Sequence, residues 1–481
     1  MSDSFRNLDK KSYYLIGIKG TGMTALAQYL KRSGAHVSGS DIPDTFYTDA
    51  ILKKEGIAYY ESFAASHITE DADAVIYSAA YSPETNAELK AAFASGKPVM
   101  VYPEALGAIS AHNFAIGISG IHGKTTTTAI AGTLVDSIQA RGAVIVGSGV
   151  RNFDGSQVLF TGDDFLIAET CEYRRHFLNF HPNIILVTSI EPDHLDYFKD
   201  YEDILNAFLE YSEKLPANGV LIYCAEDAGA CELSAIVQRT RTDIRCIPYG
   251  GAGSHRFGIA EEKVTDGKLL FKVNCFGSTV FELSVPGHHT VLNAIGSMAA
   301  VCELSESVYG TQPTQNKLQQ GISTFRGTTR RSEILFSNDD YLIMDDYAHH
   351  PTAIAVTIDG LKKMYPERRI VASFMSHTYS RTNALFDDFC HALLKADVLF
   401  LHKIYSSARE QKQEGSVEGI DLYNRVTQLG GKAFFYEEPR DSIEHVYSCL
   451  KPRDIFISLG AGDNWIVSHE IAGMLEKKLD D

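Results

Sequence analysis

The chain is 481 residues long, 44% hydrophobic and 22% charged, the balance of an ordinary globular protein. At roughly 150 residues per domain this predicts about three domains, each able to bury a core without disulfides or a structural metal. Asp and Glu (61) outnumber Lys and Arg (44), and the formal charge of −17 argues against a nucleic-acid partner; with only 14 prolines and no long biased run, collagen-like and disordered classes are excluded. The eight cysteines are scattered with no CxxC pair, which excludes a zinc framework of that kind and a disulfide scaffold. The opening MSDSFRNLDKKSYYLIG mixes charges ahead of a short apolar run, unlike a signal peptide. No run of about 18 apolar residues offers a membrane span, so a cytoplasmic location is expected.

In chain order, Tyr13–Ile18 reads as a buried strand, Met23–Ser33 as a helix and Ala35–Gly39 as a second strand. Ala74–Ser78 and Val99–Val101 continue the alternation at βαβ spacing, which predicts a Rossmann-like parallel unit over residues 1–111, closed by a linker at Glu104–Asn113. Phe114–Ile118 opens a central P-loop ATPase-type unit, residues 112–327, with Phe165–Ala168 and Ile184–Thr188 as short, apolar central strands. Between residues 255 and 285 the runs shorten and turn residues intervene, which predicts a small antiparallel extension. Ile322–Thr329 marks the next boundary. Beyond it Leu342–Met344, Arg369–Phe374, Val398–Leu401, Ala433–Tyr436 and Ile455–Leu459 predict a second Rossmann-like unit over residues 328–481, completing a three-domain α/β chain.

The sharpest motif is Gly120-Ile121-His122-Gly123-Lys124-Thr125-Thr126, between the strand FAIGI and the helical TTTAIAGTL. Glycines let the backbone wrap phosphates, a helix N-terminus supplies N–H donors, Lys124 can reach the β/γ-phosphates and the Thr125 hydroxyl can ligate Mg²⁺. An ATP site is expected here. Gly17-Ile18-Lys19-Gly20-Thr21-Gly22-Met23 is a second strand-to-helix glycine turn, spaced G-x-x-G-x-G, with Asp41 about 20 residues on as an acceptor for a ribose or base. Alone it leaves NAD, a nucleotide-sugar diphosphate and a plain structural turn open. Glu169, Glu172, Asp193 and His194 follow strands of the central unit, where carboxylate oxygens suit Mg²⁺. In the third unit Arg331 can pair with a γ-phosphate, Asp345-Asp346-Tyr347-Ala348-His349-His350 follows a strand, and His377 with Arg381 offers a base and a cation at another.

Together GIKGTGM, GSD (39–41), SGIHGKTTTT, IEPDHLDY, PGHHTVLNA (286–294), RRSE, DDYAHHP and HTYSRT resemble, in order and spacing, the Mur ligases, ATP-dependent amide ligases of peptidoglycan precursor synthesis. The resemblance runs from about residue 13 to Trp465 and is greatest to the branch that uses UDP-N-acetylmuramate and L-alanine. It implies that the loop with Gly20, Thr21, Gly22 and Met23, and Asp41 beyond it, holds the UDP-sugar. ATP would lie on Gly120, His122, Gly123, Lys124, Thr125 and Thr126, with Asn293 on the adenine, Asp346 on the ribose and Arg331 on the γ-phosphate. Thr125 and Glu169 would hold one Mg²⁺ and His194 a second; His377 and Arg381 would face the amino acid, and His349 or His377 would serve as base. The chain departs from the alanine-adding pattern at Thr170-Cys171, Thr378, Ile121 and Ala348, positions that bear on which amino acid or peptide is added. Competing functions are a recycling ligase adding a tripeptide to the same UDP-sugar, a nicotinamide-dependent dehydrogenase and a non-catalytic nucleotide-sugar sensor. A monomer or homodimer is expected.

Overall fold

The structure, a computed structural model, describes residues 5, 8–193, 197–265, 267–406 and 415–480. The first sheet contains β1 (Ser12–Ile16), β2 (His36–Ser40), β3 (Ala58–Tyr60), β4 (Ala74–Tyr77) and β5 (Val99–Val101), all parallel in the order β3-β2-β1-β4-β5. The order reverses at β1, and a reversal of that kind opens a crevice at the C-terminal strand ends. The first glycine turn lies there.

The second sheet is built from β6 (Phe114–Ser119), β7 (Ala143–Ile145), β8 (Val158–Phe160), β9 (Phe165–Glu169), β10 (Ile184–Val187), β11 (Val220–Cys224) and β12 (Arg245–Tyr249). Its order is β12-β11-β10-β6-β9-β7-β8, with β8 pairing antiparallel at the edge. The middle strands are buried on both faces, which is why they read as continuous apolar runs rather than alternating ones. The antiparallel extension is β13 (Ile259–Thr265), β14 (Lys268–Val273) and β15 (Phe281–Leu283). Phe271 and Phe281 fix it to the core beneath the long helix His288–Tyr309.

The last sheet comprises β16 (Glu333–Ser337), β17 (Tyr341–Asp346), β18 (Ile370–Met375), β19 (Val398–Leu401), β20 (Ala433–Phe435) and β21 (Asp454–Gly460). It runs β16-β17-β21-β18-β19-β20, parallel except for β16. The molecule is thus a three-domain α/β protein with helices on both faces of each parallel sheet.

One local expectation fails. Glu104–Asn113 is no linker: Tyr102–Ser110 forms a helix, with Pro103 in its first turn and Glu104 accepting from Val101 N at 3.1 Å. Ala105, Leu106 and Ile109 are buried along one face, and Gly107 packs so closely on Asn179 that a Cβ there would lie 2.2 Å from its carbonyl oxygen. The first and second domains therefore meet through a packed helix. They also share polar contacts, Gln28 with Ser156 (3.0 Å) and Gln157 with Thr21 O (3.1 Å). Among the described residues no helix is long and apolar enough to cross a membrane, and all eight cysteines are free.

Candidate active site

Strand register brings the site together. Ile118 of β6 pairs with Glu169 of β9, and Ser119 pairs with Val187 of β10, so three strand ends open side by side. The turn that follows needs glycine at two points. Gly120 has φ +129°, and a Cβ there would lie 2.1 Å from Thr188 Oγ1; Gly123 has φ +84°, and its Cβ would lie 2.6 Å from Asn293 Oδ1. Ile121 N donates to Ser189 O and His122 N to Ser189 Oγ, both at 3.0 Å, so the turn is held open against the loop after β10. The helix Lys124–Ile138 starts directly behind it, aiming its first N–H groups at the cradle.

Lys124 crosses this cradle. Its ammonium donates to Gly120 O, to Ile121 O at 3.3 Å and to both oxygens of Glu172 at 2.9 and 3.2 Å. Burial disfavours the Lys124 charge, but Glu172, with Cys171 and Glu169 nearby, carries its pKa above the ordinary lysine value. Cys171 is exposed at a cavity wall, yet desolvation by the surrounding protein, with Glu172 adjacent, pushes its thiol up to about 12, which leaves it largely protonated. Thr125 Oγ1 donates to Glu169 Oε1 at 3.1 Å, while Gly147 N holds Glu169 Oε2 at 3.0 Å. A hydroxyl and an oriented carboxylate in contact at a helix start form a hard-oxygen pair suited to Mg²⁺. His194, expected as a further metal ligand, lies outside the described residues.

Two cavities flank this centre. One, of about 350 Å³, lies between the second and third domains and is lined by His122, Thr126, Asn293, Arg331 and Asp346 among others. The other, of about 210 Å³, lies between the first and second and is lined by Thr21, Gly22, Tyr102, Glu169, Cys171 and His176 among others. Glu169 therefore stands where the first glycine turn meets the second. Met23 and Asp41 beside that turn face inward, whereas Gly20 is exposed. Met23 is 3% exposed, a core side chain rather than a ligand contact, and Gly20 donates its N–H to Gly17 O at 3.2 Å. Asp41 is buried and accepts from Lys19 N (2.7 Å), Ile42 N (2.8 Å) and Tyr81 OH (3.0 Å), so it holds the turn in shape.

The third domain adds cations and imidazoles. The Arg331 guanidinium lies 5.3 Å from the Tyr347 ring centre and faces the larger cavity. Asp346 lines the same cavity but accepts from Ser332 N (2.8 Å), Ser332 Oγ (2.9 Å) and Ala348 N (2.8 Å). His349 Nδ1 lies 2.7 Å from Tyr347 O; as donor to that carbonyl it leaves Nε2 the basic nitrogen. Burial, with Arg381 and His377 close by, pulls its pKa well below the ordinary imidazole value, so the ring is neutral. His377 Nδ1 accepts from Arg381 at 3.2 Å, which puts its own proton on Nε2. The turn between them is strained at Thr378, a β-branched residue at φ +69°. Arg381 reaches across to the second domain and donates to Asp193 Oδ1 at 2.9 and 3.3 Å, a pair nine-tenths buried on the Arg381 side and slightly more on the Asp193 side.

Three neighbours of this centre escape sequence-level assignment. Glu172 was visible only as an acid three residues past Glu169; its pairing with Lys124 is a long-range contact. Glu191, whose Oε1 lies 2.7 Å from His122 Nε2, and His350, whose ring centre is 5.3 Å from that of His122, sit in motifs otherwise noted for Asp193, His194 and His349.

A phosphate-cradling turn on the middle of three α/β domains, with a cavity against each neighbour, defines a multidomain nucleotide-dependent enzyme. The chain belongs to the Mur ligase family, enzymes that form amide bonds at the expense of ATP. Residues 12–114 match the Mur ligase family catalytic domain, residues 118–301 the Mur ligase middle domain, and residues 330–462 the Mur ligase glutamate ligase domain. It is 46% identical to the UDP-N-acetylmuramate–L-alanine ligase of Treponema pallidum (strain Nichols), covering 94% of each chain. The ligase of the same name from Borrelia garinii is 36% identical over 97% of this chain and 98% of its own. Among solved structures, UDP-N-acetylmuramate-alanine ligase from Thermotoga maritima superposes with a TM-score of 0.77 at 22% identity, covering 97% of this chain and 99% of that one. A murein peptide ligase from Psychrobacter arcticus gives 0.64 at 19% identity, covering 98% of both. At these identities the structural likeness is one of fold.

Proposed function

We propose that this protein joins L-alanine to the lactyl carboxylate of UDP-N-acetylmuramate, with ATP converted to ADP and phosphate. The names of relatives at 46% and 36% identity support the substrates. The observation that carries the reading is the shared position of Glu169: it lines the cavity of the first glycine turn while bonding Thr125 of the second. A sugar-linked carboxylate and a triphosphate bound on these turns would meet there. The proposed domains are residues 1–111 for the UDP-sugar, 112–327 for ATP and 328–481 for the amino acid, and such substrates place the reaction in the cytoplasm.

In the first step a lactyl oxygen attacks the γ-phosphorus, the bond to the ADP oxygen breaks, and an acyl phosphate results. Both reactants are anions, so the chain's contribution is charge neutralisation and alignment by Lys124 and Arg331, with Gly120, His122, Gly123 and Thr126 cradling the phosphates. Lys124 must exchange Glu172 for phosphate oxygens. Thr125 and Glu169 would hold Mg²⁺, which when bound offsets phosphate charge. Asn293 and Asp346, on the walls of the larger cavity, hold the nucleoside. Thr21 and Gly22 carry the UDP-sugar.

In the second step the amine nitrogen attacks the acyl carbon and phosphate leaves. The amine proton goes to His349 Nε2, the basic nitrogen of a neutral ring; His377, with its proton on Nε2, acts as donor and orients Arg381 for the amino-acid carboxylate. The test is ADP release with UDP-N-acetylmuramate and a panel of acceptors. ADP formation with L-alanine above all other acceptors is expected. Preference for a tripeptide would move the activity to murein recycling, and no ADP with any acceptor would overturn the ligase assignment.

A further inference from the structure

Beside the larger cavity, whose wall includes His122 of the phosphate turn and Glu191 of the loop after β10, these two converge with His350 at the start of the helix Pro351–Met364. One ligating atom from each lies within 4.8 Å of the other two. His122 Nε2 and Glu191 Oε1 are 2.7 Å apart, yet the approach is not in hydrogen-bonding geometry, and His350 Nε2 is buried with no hydrogen-bond partner. His350 is itself 6% exposed. A buried imidazole nitrogen without a partner is costly, and here it stands beside a second imidazole and a carboxylate.

We propose that His122, Glu191 and His350 form a binding site for a divalent transition cation of the zinc class, separate from the Thr125–Glu169 oxygen pair. Two imidazole nitrogens and one carboxylate oxygen are the donors that such ions select, whereas Mg²⁺ favours an all-oxygen shell. Three protein ligands leave a fourth position for water or a small anion on the cavity side, where His122 and Glu191 form part of the wall. Ligation through His350 Nε2 requires the ring proton on Nδ1, so the contact from Thr352 N is given up. At 3.3 Å that contact is longer than a good hydrogen bond and weak beside a coordination bond. Since His122 and Glu191 belong to the second domain and His350 to the third, a bound ion ties the two together across the nucleotide cleft. The site does not depend on which acceptor the enzyme uses.

The test is a titration of the full-length protein with Co²⁺ in excess Mg²⁺, which keeps the oxygen pair occupied. Visible absorption reports the coordination geometry. The wild type is expected to bind one Co²⁺ with the intense bands of a four-coordinate ion and no thiolate charge-transfer band. His350→Gln and Glu191→Gln, each checked for folding by circular dichroism, are expected to weaken that binding at least about 100-fold, the upper end of the loss that even an outer-shell change causes. Should one variant not fold, the other decides. Absence of the bands in the wild type, or unchanged affinity and spectrum in a folded variant, overturns the site.

Discussion

The two glycine turns start from the same plan, a parallel strand, a glycine-rich bend and a helix, and each carries a lysine, but they use that lysine in opposite ways. Lys19 turns inward: its side chain is 1% exposed, and its ammonium reaches Asp44 O (3.0 Å), Glu61 (3.1 Å) and Asp49 (3.3 Å). Lys124 turns toward the cradle and meets Glu172, a partner that a phosphate can replace. The first turn spends its cation on its own shape and leaves Thr21 and Gly22 on the cavity wall, where the proposed UDP-sugar would meet the Thr21 hydroxyl and backbone N–H groups. The second leaves its cation at the cradle, where the proposed phosphates would lie. A glycine motif with a lysine is thus ambiguous until the lysine's partners are known.

The largest test of this contrast is Lys124→Ala. Loss of a charge contact to a transferring phosphoryl group typically costs about 10²–10³-fold in rate, so ADP formation should fall by that factor. Because the buried Glu172 loses its cation, stability should fall as well, by about 1–3 kcal/mol. A variant retaining near-normal turnover would remove the second turn's special status. Next come the glycines. Gly123→Ala combines a positive φ with a clash on Asn293 and should cost about 1–3 kcal/mol of stability together with ATP affinity. Gly20→Ala, at φ −59° and with its nearest foreign atom at 3.3 Å, should lie within about 1 kcal/mol of wild type by thermal denaturation.

Lys19→Met addresses the other side of the comparison. It leaves Asp49 and Glu61 without their cation and should lower stability by about 1–3 kcal/mol while kcat stays near wild type. A large fall in kcat with unchanged stability would mean that Lys19 reaches a ligand after all. The smallest effect concerns pH. His288 opens the helix that brings Asn293 to the second turn, and it lies between Glu262 (2.5 Å) and Glu226 (2.8 Å). Those carboxylates, Glu262 foremost, raise its pKa from 6.5 to about 9. Its stabilising contribution is therefore complete below pH 6.5 and lost as pH rises through about 9. Because the side chain is 40% exposed, the difference from His288→Gln should stay below about 1 kcal/mol, measured by melting at pH 6 and pH 9.5.

Most strands were legible because buried parallel strands are short, continuous apolar runs, and Val99–Val101 and Val398–Leu401 fall where the pattern puts them. The helix Tyr102–Ser110 was not, since its Pro, Gly and small residues look like a connection until Leu106 and Ile109 are seen packed. At the site, Lys124, Thr125 and Glu169 could be grouped from motif position alone. The inward bend of Lys19, the burial of Asp41 and the Lys124–Glu172 pair could not, because each is decided by partners 20 to 50 residues away that local spacing does not reveal.

Under the role proposed for Arg381, its pair with Asp193 acts as a stand-in for the acceptor's own carboxylate. A free amino acid can dislodge it, since it brings an equivalent anion beside its amine. Ammonia, simple amines and amino-acid amides bring none, and must leave the guanidinium with its internal decoy. Selectivity for an acceptor that carries its own carboxylate would then be set before any bond is made, by competition for a single cation.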